Sequence, residues 1–136
     1  MSHPHDALAR RHYAAMEAGD LETLSELLAA DVAWHVPGDG HLSGTWKGVY
    51  AVLSLFGRIY DLTGGTLRTT VEDVVADDRH AVVTVTVRAT IAGAAFEDDA
   101  VHIARIADGT ILDVRTWSSD QAAFDALIDA ELAARA

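Results

Sequence analysis

The chain contains no cysteine. A disulfide framework, a thiolate nucleophile and a cysteine-bound metal are therefore excluded. Basic residues are scarce: ten Lys and Arg stand against 21 Asp and Glu, a formal net charge of -11. Nucleic acid and anionic membrane both demand a surplus of Lys and Arg, so neither is expected as a partner. No run approaches the roughly 20 apolar residues that a spanning helix needs. The opening segment, Met1 to Asp6, has no basic stretch followed by an apolar one. A secretory leader is therefore not expected, and a soluble cytoplasmic protein is. The histidines His3, His5, His12, His35, His41, His80 and His102 are spread along the chain and form no compact ligand set with an acidic partner. No metal site is expected.

What is present is apolar: half of the 136 residues are hydrophobic. That length fits a single domain over residues 1–136, with a core that needs no staples. Residues favouring helix run from Asp6 to Ala18, closed by Gly19. Asp20 starts a second helix with Leu21, Leu24, Leu27 and Leu28 as its stripe, ending near Ala30. A short strand from Val32 to Val36 stops at Pro37-Gly38-Asp39-Gly40. The Gly-rich stretch from Gly38 to Gly48 reads as an exposed connection or a lid. Gly48 opens a third helix in which Val49, Val52, Leu53, Phe56, Ile59 and Tyr60 recur at helical spacing. Thr63-Gly64-Gly65 closes it. Strands then dominate: Leu67 to Ala76, Ala81 to Ile91, Phe96 to Ile106 and Ile111 to Trp117, with Asp108-Gly109 as a hairpin signal. A last helix is expected from Asp120 to about Ala133, capped by Ser119. Helices, then an antiparallel meander, then one more helix read as α+β.

Strand parity sorts these residues into two faces. Asp99, Val101, Ile103 and Arg105 share one face, and Ala100, His102, Ala104 and Ile106 the other. Val83, Val85, Val87 and Ala89 share a face opposite Thr84, Thr86 and Arg88. Leu112, Val114 and Thr116 oppose Ile111, Asp113, Arg115 and Trp117. One side of the sheet is thus apolar with a single imidazole, His102, and the other is rich in charge. His102 is either the polar group of a small-molecule pocket or a core histidine bonded to backbone.

Four stretches carry a family resemblance when taken in order: Ala18-Gly19-Asp20-Leu21, Leu28-Ala29-Ala30-Asp31-Val32, Gly44-Thr45-Trp46-Lys47-Gly48, and Val101 to Ile111. Over about Leu8 to Phe124 the chain resembles the nuclear transport factor 2-like superfamily, SnoaL-like group. The resemblance implies a curved antiparallel sheet wrapped by helices around a conical apolar cavity, in chains that are often homodimers. The superfamily holds polyketide cyclases, ketosteroid isomerases, dehydratases, epoxide hydrolases and proteins without catalysis, so the resemblance speaks for fold more than for chemistry. The isomerase base, an aspartate before a proline, is replaced by Val36 before Pro37. The cyclase base, an aspartate before the final-strand tryptophan, is replaced by Thr116 before Trp117. The tyrosine and aspartate of the isomerase oxyanion hole fall on His12 and His102, with Tyr13 one step from His12. An Asp-Arg-Asp relay of the epoxide-hydrolase kind finds only Asp98 on the inner face.

Two functions remain open. One is a cofactor-independent isomerase, cyclase or dehydratase with His102 as acid/base or hydrogen-bond donor and His12 assisting. The other is a binding protein for a small hydrophobic molecule, or a dimerisation module. In either case Trp34, Val36, Phe56, Tyr60, Val85, Val87, Val114 and Thr116 are the candidates for lining the cavity. Trp34 reads equally well as core, and Phe56 and Tyr60, one helical turn apart, read mainly as core, with the Tyr60 hydroxyl at the cavity mouth. The outer face, where Arg88, Asp99, Arg105, Asp113 and Arg115 alternate in sign around Val101, Ile103 and Trp117, is expected to meet a second copy of the chain.

Overall fold

The computed structural model describes residues 3–136. Met1 and Ser2, which open the segment read for a leader, lie outside the described residues. Helix α1 spans Pro4–Ala18, with Pro4 at its first turn, where a missing N–H costs nothing. Gly19 ends it in the left-handed region at φ 65°, which lets the Asp20 N–H reach back to the Ala15 carbonyl at 2.9 Å. Asp20 then caps α2, Leu21–Leu27, by accepting from the Thr23 N–H at 3.1 Å.

The second helix stops three residues earlier than its leucine pattern suggests. Leu28 already belongs to β1, Leu28–Val36, where it lies beside Ile111 of the sixth strand. Parallel pairing with that strand, and burial of Leu28 and Val32, outweigh the helix preference of Leu28-Ala29-Ala30. The Gly-rich connection is not wholly irregular either. It contains β2, Gly44–Lys47, which pairs antiparallel with β1 from Val36↔Gly44 to Ala33↔Lys47. Helix α3, Val49–Leu62, follows. The remaining strands are β3 (Arg68–Ala76), β4 (His80–Ile91), β5 (Ala94–Ala107) and β6 (Thr110–Ser118), and α4 spans Gln121–Arg135.

The six strands form one open sheet in the order β2-β1-β6-β5-β4-β3. Every neighbouring pair is antiparallel except β1 and β6. The expected all-antiparallel sheet is corrected in that one pair, because β1 precedes the meander and is carried to its far edge through β2 and α3. Register shifts interrupt β1–β6, β3–β4 and β5–β6, and such bulges bend a sheet. The shift in β5–β6 also overturns one face assignment. Arg105 pairs with Asp113 and Ile106 with Ile111, so Leu112 is the extra residue and Ile111 turns inward, where it is 1% exposed.

The inner face carries the core. Val83, Val85, Ala89 and Ile91 of β4, Ala100, Ala104 and Ile106 of β5, and Val114 of β6 are all buried, together with Val32 and Trp34 of β1. Helix α1 lies across β3 and β4, α3 across β1 and β2, and α4 contacts α3 and β4. The N-cap of α4 is Asp120 rather than Ser119: its side chain accepts from the Ala123 N–H at 3.1 Å. Ser119 is engaged elsewhere, at the cavity.

Candidate functional site

Alternation along β5 brings Asp98, Ala100 and His102 to the inner face, and Thr116 and Ser118 of β6 stand directly opposite His102 and Ala100. Val87 of β4 lies opposite Asp98. Trp34 and Val36 of β1 continue the floor, Phe56 and Ile59 of α3 and Met16 of α1 form the roof, and Gln121 and Phe124 of α4 close one end. Together they surround a mostly apolar cavity of about 130 Å³.

The imidazole of His102 is partly open to this cavity. Its Nδ1 is hydrogen-bonded to the Tyr13 hydroxyl at 2.5 Å. Trp34 meets the ring edge-on at 5.9 Å and in turn packs edge-on against Phe56 at 4.8 Å. The tautomer follows from this geometry. Tyr13 is 5% exposed, and burial raises its phenol well above the ordinary range, so the O–H keeps its proton. His102 Nδ1 is the one acceptor within its reach among the described residues. The hydroxyl therefore donates to Nδ1, which holds a lone pair, and the ring proton sits on Nε2. Burial lowers His102 to about 4, with the carboxylate of Asp98 opposing that shift. At neutral pH the side chain is an uncharged N–H donor on an apolar wall, with Nε2 unpartnered among the described residues and not sealed from the cavity.

Asp98, 6% exposed, is the acidic residue of the cavity wall. Ser118 Oγ donates to its Oδ2 at 2.5 Å and the Ser119 N–H to its Oδ1 at 2.9 Å. Ser119 Oγ donates to the same Oδ1. Thr116, beside His102, donates its hydroxyl to the backbone carbonyl of His35 at 2.9 Å, which leaves the hydroxyl oxygen able to accept.

Of the residues proposed from sequence, the structure gathers His102, Trp34, Val36, Phe56, Val87 and Thr116 around the cavity. Val85 and Val114 face inward but are packed in the core, each 1% exposed, and do not reach the wall. Tyr60 is 56% exposed. It follows Ile59 by one residue, about 100° round the helix, and its ring turns toward Gly65 instead of the cavity.

His12 is corrected as well. It is 1% exposed and lies in the core against the rings of Tyr13, Trp34 and Phe56, at 5.0, 5.8 and 6.2 Å. Neither ring nitrogen has a hydrogen-bond partner among the described residues. Burial, reinforced by nearby His102, lowers its pKa to about 3. The position that meets His102 is Tyr13, one step further along α1.

Asp98 and Phe124 line the cavity as well: the parity of Asp98 with His102 is legible in the sequence but does not mark it as a site residue, and the helical spacing of Phe124 reads as core. Ser118, Ser119 and Gln121 carried no signal, since all three sit where β6 hands over to α4. Among the described residues no three His, Asp or Glu side chains are grouped to hold a metal ion, and no helix is long and apolar enough to cross a membrane.

Comparison with known proteins agrees with this architecture. An uncharacterized protein of Mycobacterium tuberculosis is 32% identical over 117 residues, 85% of this chain and 89% of that one. The structure of Bal32a, from a soil-derived mobile gene cassette, superposes with a TM-score of 0.85 at 30% identity, covering 89% of this chain and 93% of that one. IdmH of Streptomyces antibioticus, a candidate polyketide cyclase, superposes with a TM-score of 0.74 at 26% identity, covering 96% and 99%. The SnoaL-like domain profile matches residues 9–114, and with that match the chain belongs to the SnoaL-like domain family.

Proposed function

We propose that the cavity takes up a small apolar molecule bearing a carbonyl group, and that His102 polarises this carbonyl for a cofactor-independent isomerisation, cyclisation or dehydration. The observation that carries the reading is the Tyr13–His102 hydrogen bond at 2.5 Å. It fixes Nε2–H as a donor into the cavity, and a donor needs an acceptor on the ligand. A carbonyl oxygen gains negative charge when solvent takes a proton from the neighbouring carbon, or when the carbonyl carbon is attacked, so a fixed neutral donor on an apolar wall favours the transition state over the ground state. Tyr13 acts through His102 and is a positioning residue. The similarity to IdmH supports the same class of substrate.

A binding-only reading is favoured by one specific observation. The acid of the wall, Asp98, lies four residues from His102 along β5 and already accepts from Ser118 and Ser119, so no carboxylate of the wall stands beside His102. The two readings separate with 2-acetylnaphthalene as probe, in D2O, followed by proton NMR of its methyl group. Catalysis predicts deuterium entering the methyl group faster with wild-type protein than with His102→Phe. Tyr13→Phe, which frees the tautomer, should fall between them. Saturable binding without exchange above the buffer rate would leave only the binding protein. We also propose that the outer face of the sheet joins two copies of the chain.

A further inference from the structure

The cavity has a second polar end. Asp98 and His102 lie four residues apart on one strand, so their backbones are separated by about 13 Å along β5. Ala100 lies between them on the same face, and the surrounding wall is apolar: Val87, Phe96 and Phe124. A carboxylate offers about four acceptor positions. Oδ1 of Asp98 receives two hydrogen bonds and Oδ2 one, from Ser118. Oδ2 therefore keeps an open acceptor position on a residue that lines the cavity. No Lys, Arg or His side chain pairs with Asp98 among the described residues.

We infer that Asp98 is a specificity-determining residue, and that the ligand is a hydroxy-carbonyl compound whose apolar body spans the cavity. Its carbonyl oxygen meets His102 Nε2–H, and its hydroxyl, at the other end of the molecule, donates to Asp98 Oδ2. This deepens the proposed function and rests on it. The donor is a hydroxyl and not an ammonium because one acceptor position is open. A hydroxyl brings one proton to it, whereas an ammonium brings three and would strand the others against Val87, Phe96 and Phe124. A ligand without a donor would dehydrate the open Oδ2 position and return nothing to it.

The test uses the full chain and three probes of one shape: 6-acetyl-2-naphthol, its methyl ether, and 2-acetylnaphthalene. Affinities are read by calorimetry at neutral pH. Wild-type protein should bind the naphthol about tenfold more tightly than the ether, the size of one hydrogen bond to a charged acceptor. In Asp98→Asn the amide can turn its NH2 to the cavity and serve either oxygen, so the preference should vanish. Ser118→Ala removes one support of the carboxylate yet leaves the acceptor, and should keep the preference while lowering the melting temperature. His102→Phe should weaken all three probes by a similar factor.

Equal binding of naphthol and ether by wild type, with both still dependent on His102, overturns the role of Asp98 and leaves the carbonyl site standing. Indifference of all three probes to His102→Phe overturns the carbonyl site, and this inference with it. If Asp98→Asn does not fold, the naphthol-to-ether ratio of the wild-type chain decides alone.

Discussion

His12 and Tyr13 are adjacent in the chain, and one step around α1 separates a hydrogen-bonded side chain from an orphaned one. The His12 ring has both nitrogens buried without partners among the described residues. Each such group forfeits its bond to water, at about 1–3 kcal/mol. Replacement by an apolar residue of similar volume removes the cost, so we expect His12→Leu to raise stability at pH 7 by about 1 kcal/mol, measured by urea unfolding. The same variant has a pH signature. His12 is lowered to about 3 and His102 to about 4, against an ordinary histidine near 6.5 in the unfolded chain. Below pH 6.5 the unfolded state binds protons that the folded state refuses. Stability is therefore complete above that pH and is lost as pH falls toward 4, with a slope near 1.4 kcal/mol per unit for each histidine. His12→Leu should lose roughly half of that slope; an unchanged slope would show that His12 is not neutral in the folded protein. The difference between the two residues also explains what the sequence could tell. Strand parity has only two outcomes, so the inward turn of His102 and of Asp98 was readable. Helix phase is continuous, and an assignment off by one residue exchanged His12 for Tyr13.

Among the elements, those read correctly are those whose pattern is local. Helix α3 and strands β3 to β6 follow their apolar periodicity to within a few residues. The misread pieces are decided by partners distant in sequence. Leu28 is a strand residue because it lies against Ile111, and Gly44–Lys47 is a strand because β1 offers it an edge. The loop between them is also held from afar. Asp125 of α4 accepts from the Asp39 N–H at 3.0 Å and from Gln121 Nε2 at 2.8 Å, and Asp129 accepts from the His41 N–H at 3.2 Å. Gly40 passes so close to α4 that an added Cβ would lie 2.9 Å from both Cβ and Cγ of Asp125. Gly40→Ala must push the loop off α4. We expect a stability loss of about 1–2 kcal/mol. Because Gln121 and Phe124 of the same helix line the cavity, weaker binding of 2-acetylnaphthalene should accompany it. Gly93→Ala serves as the control, since nothing lies within 4 Å of a Cβ there. Gly93, unlike Gly40, has a positive φ, at 79°, so it should carry a backbone cost of its own without the change in binding.

At the scale of the whole molecule the two faces of the sheet have opposite characters. The helices cover the inner face, while the outer one is left bare. On it Val75, Val82 and Ile103 follow one another across β3, β4 and β5, and Val101 stands beside Trp117. Trp117 is 48% exposed, Val75 64% and Val101 36%. Around them are charges of both signs: Arg88 with Glu97, and Asp113 between His35 and Arg115. The net charge of -11 would oppose self-association, but this face itself is mixed in sign and apolar at its centre, which is the anatomy of a protein interface. The order of helices and strands made the fold legible from sequence, and the charge alternation marked this face. The ligand was not legible, because it depends on a few side chains and not on the scaffold. If two copies meet here, light scattering should give twice the chain mass at micromolar concentration. Trp117→Asp, which places a charge at the apolar centre of this face, should give a monomer that still melts cooperatively. Wild-type protein that scatters as a monomer at every concentration tested would mean that Trp117 and Val101 face water, and that the outer sheet surface joins no second copy.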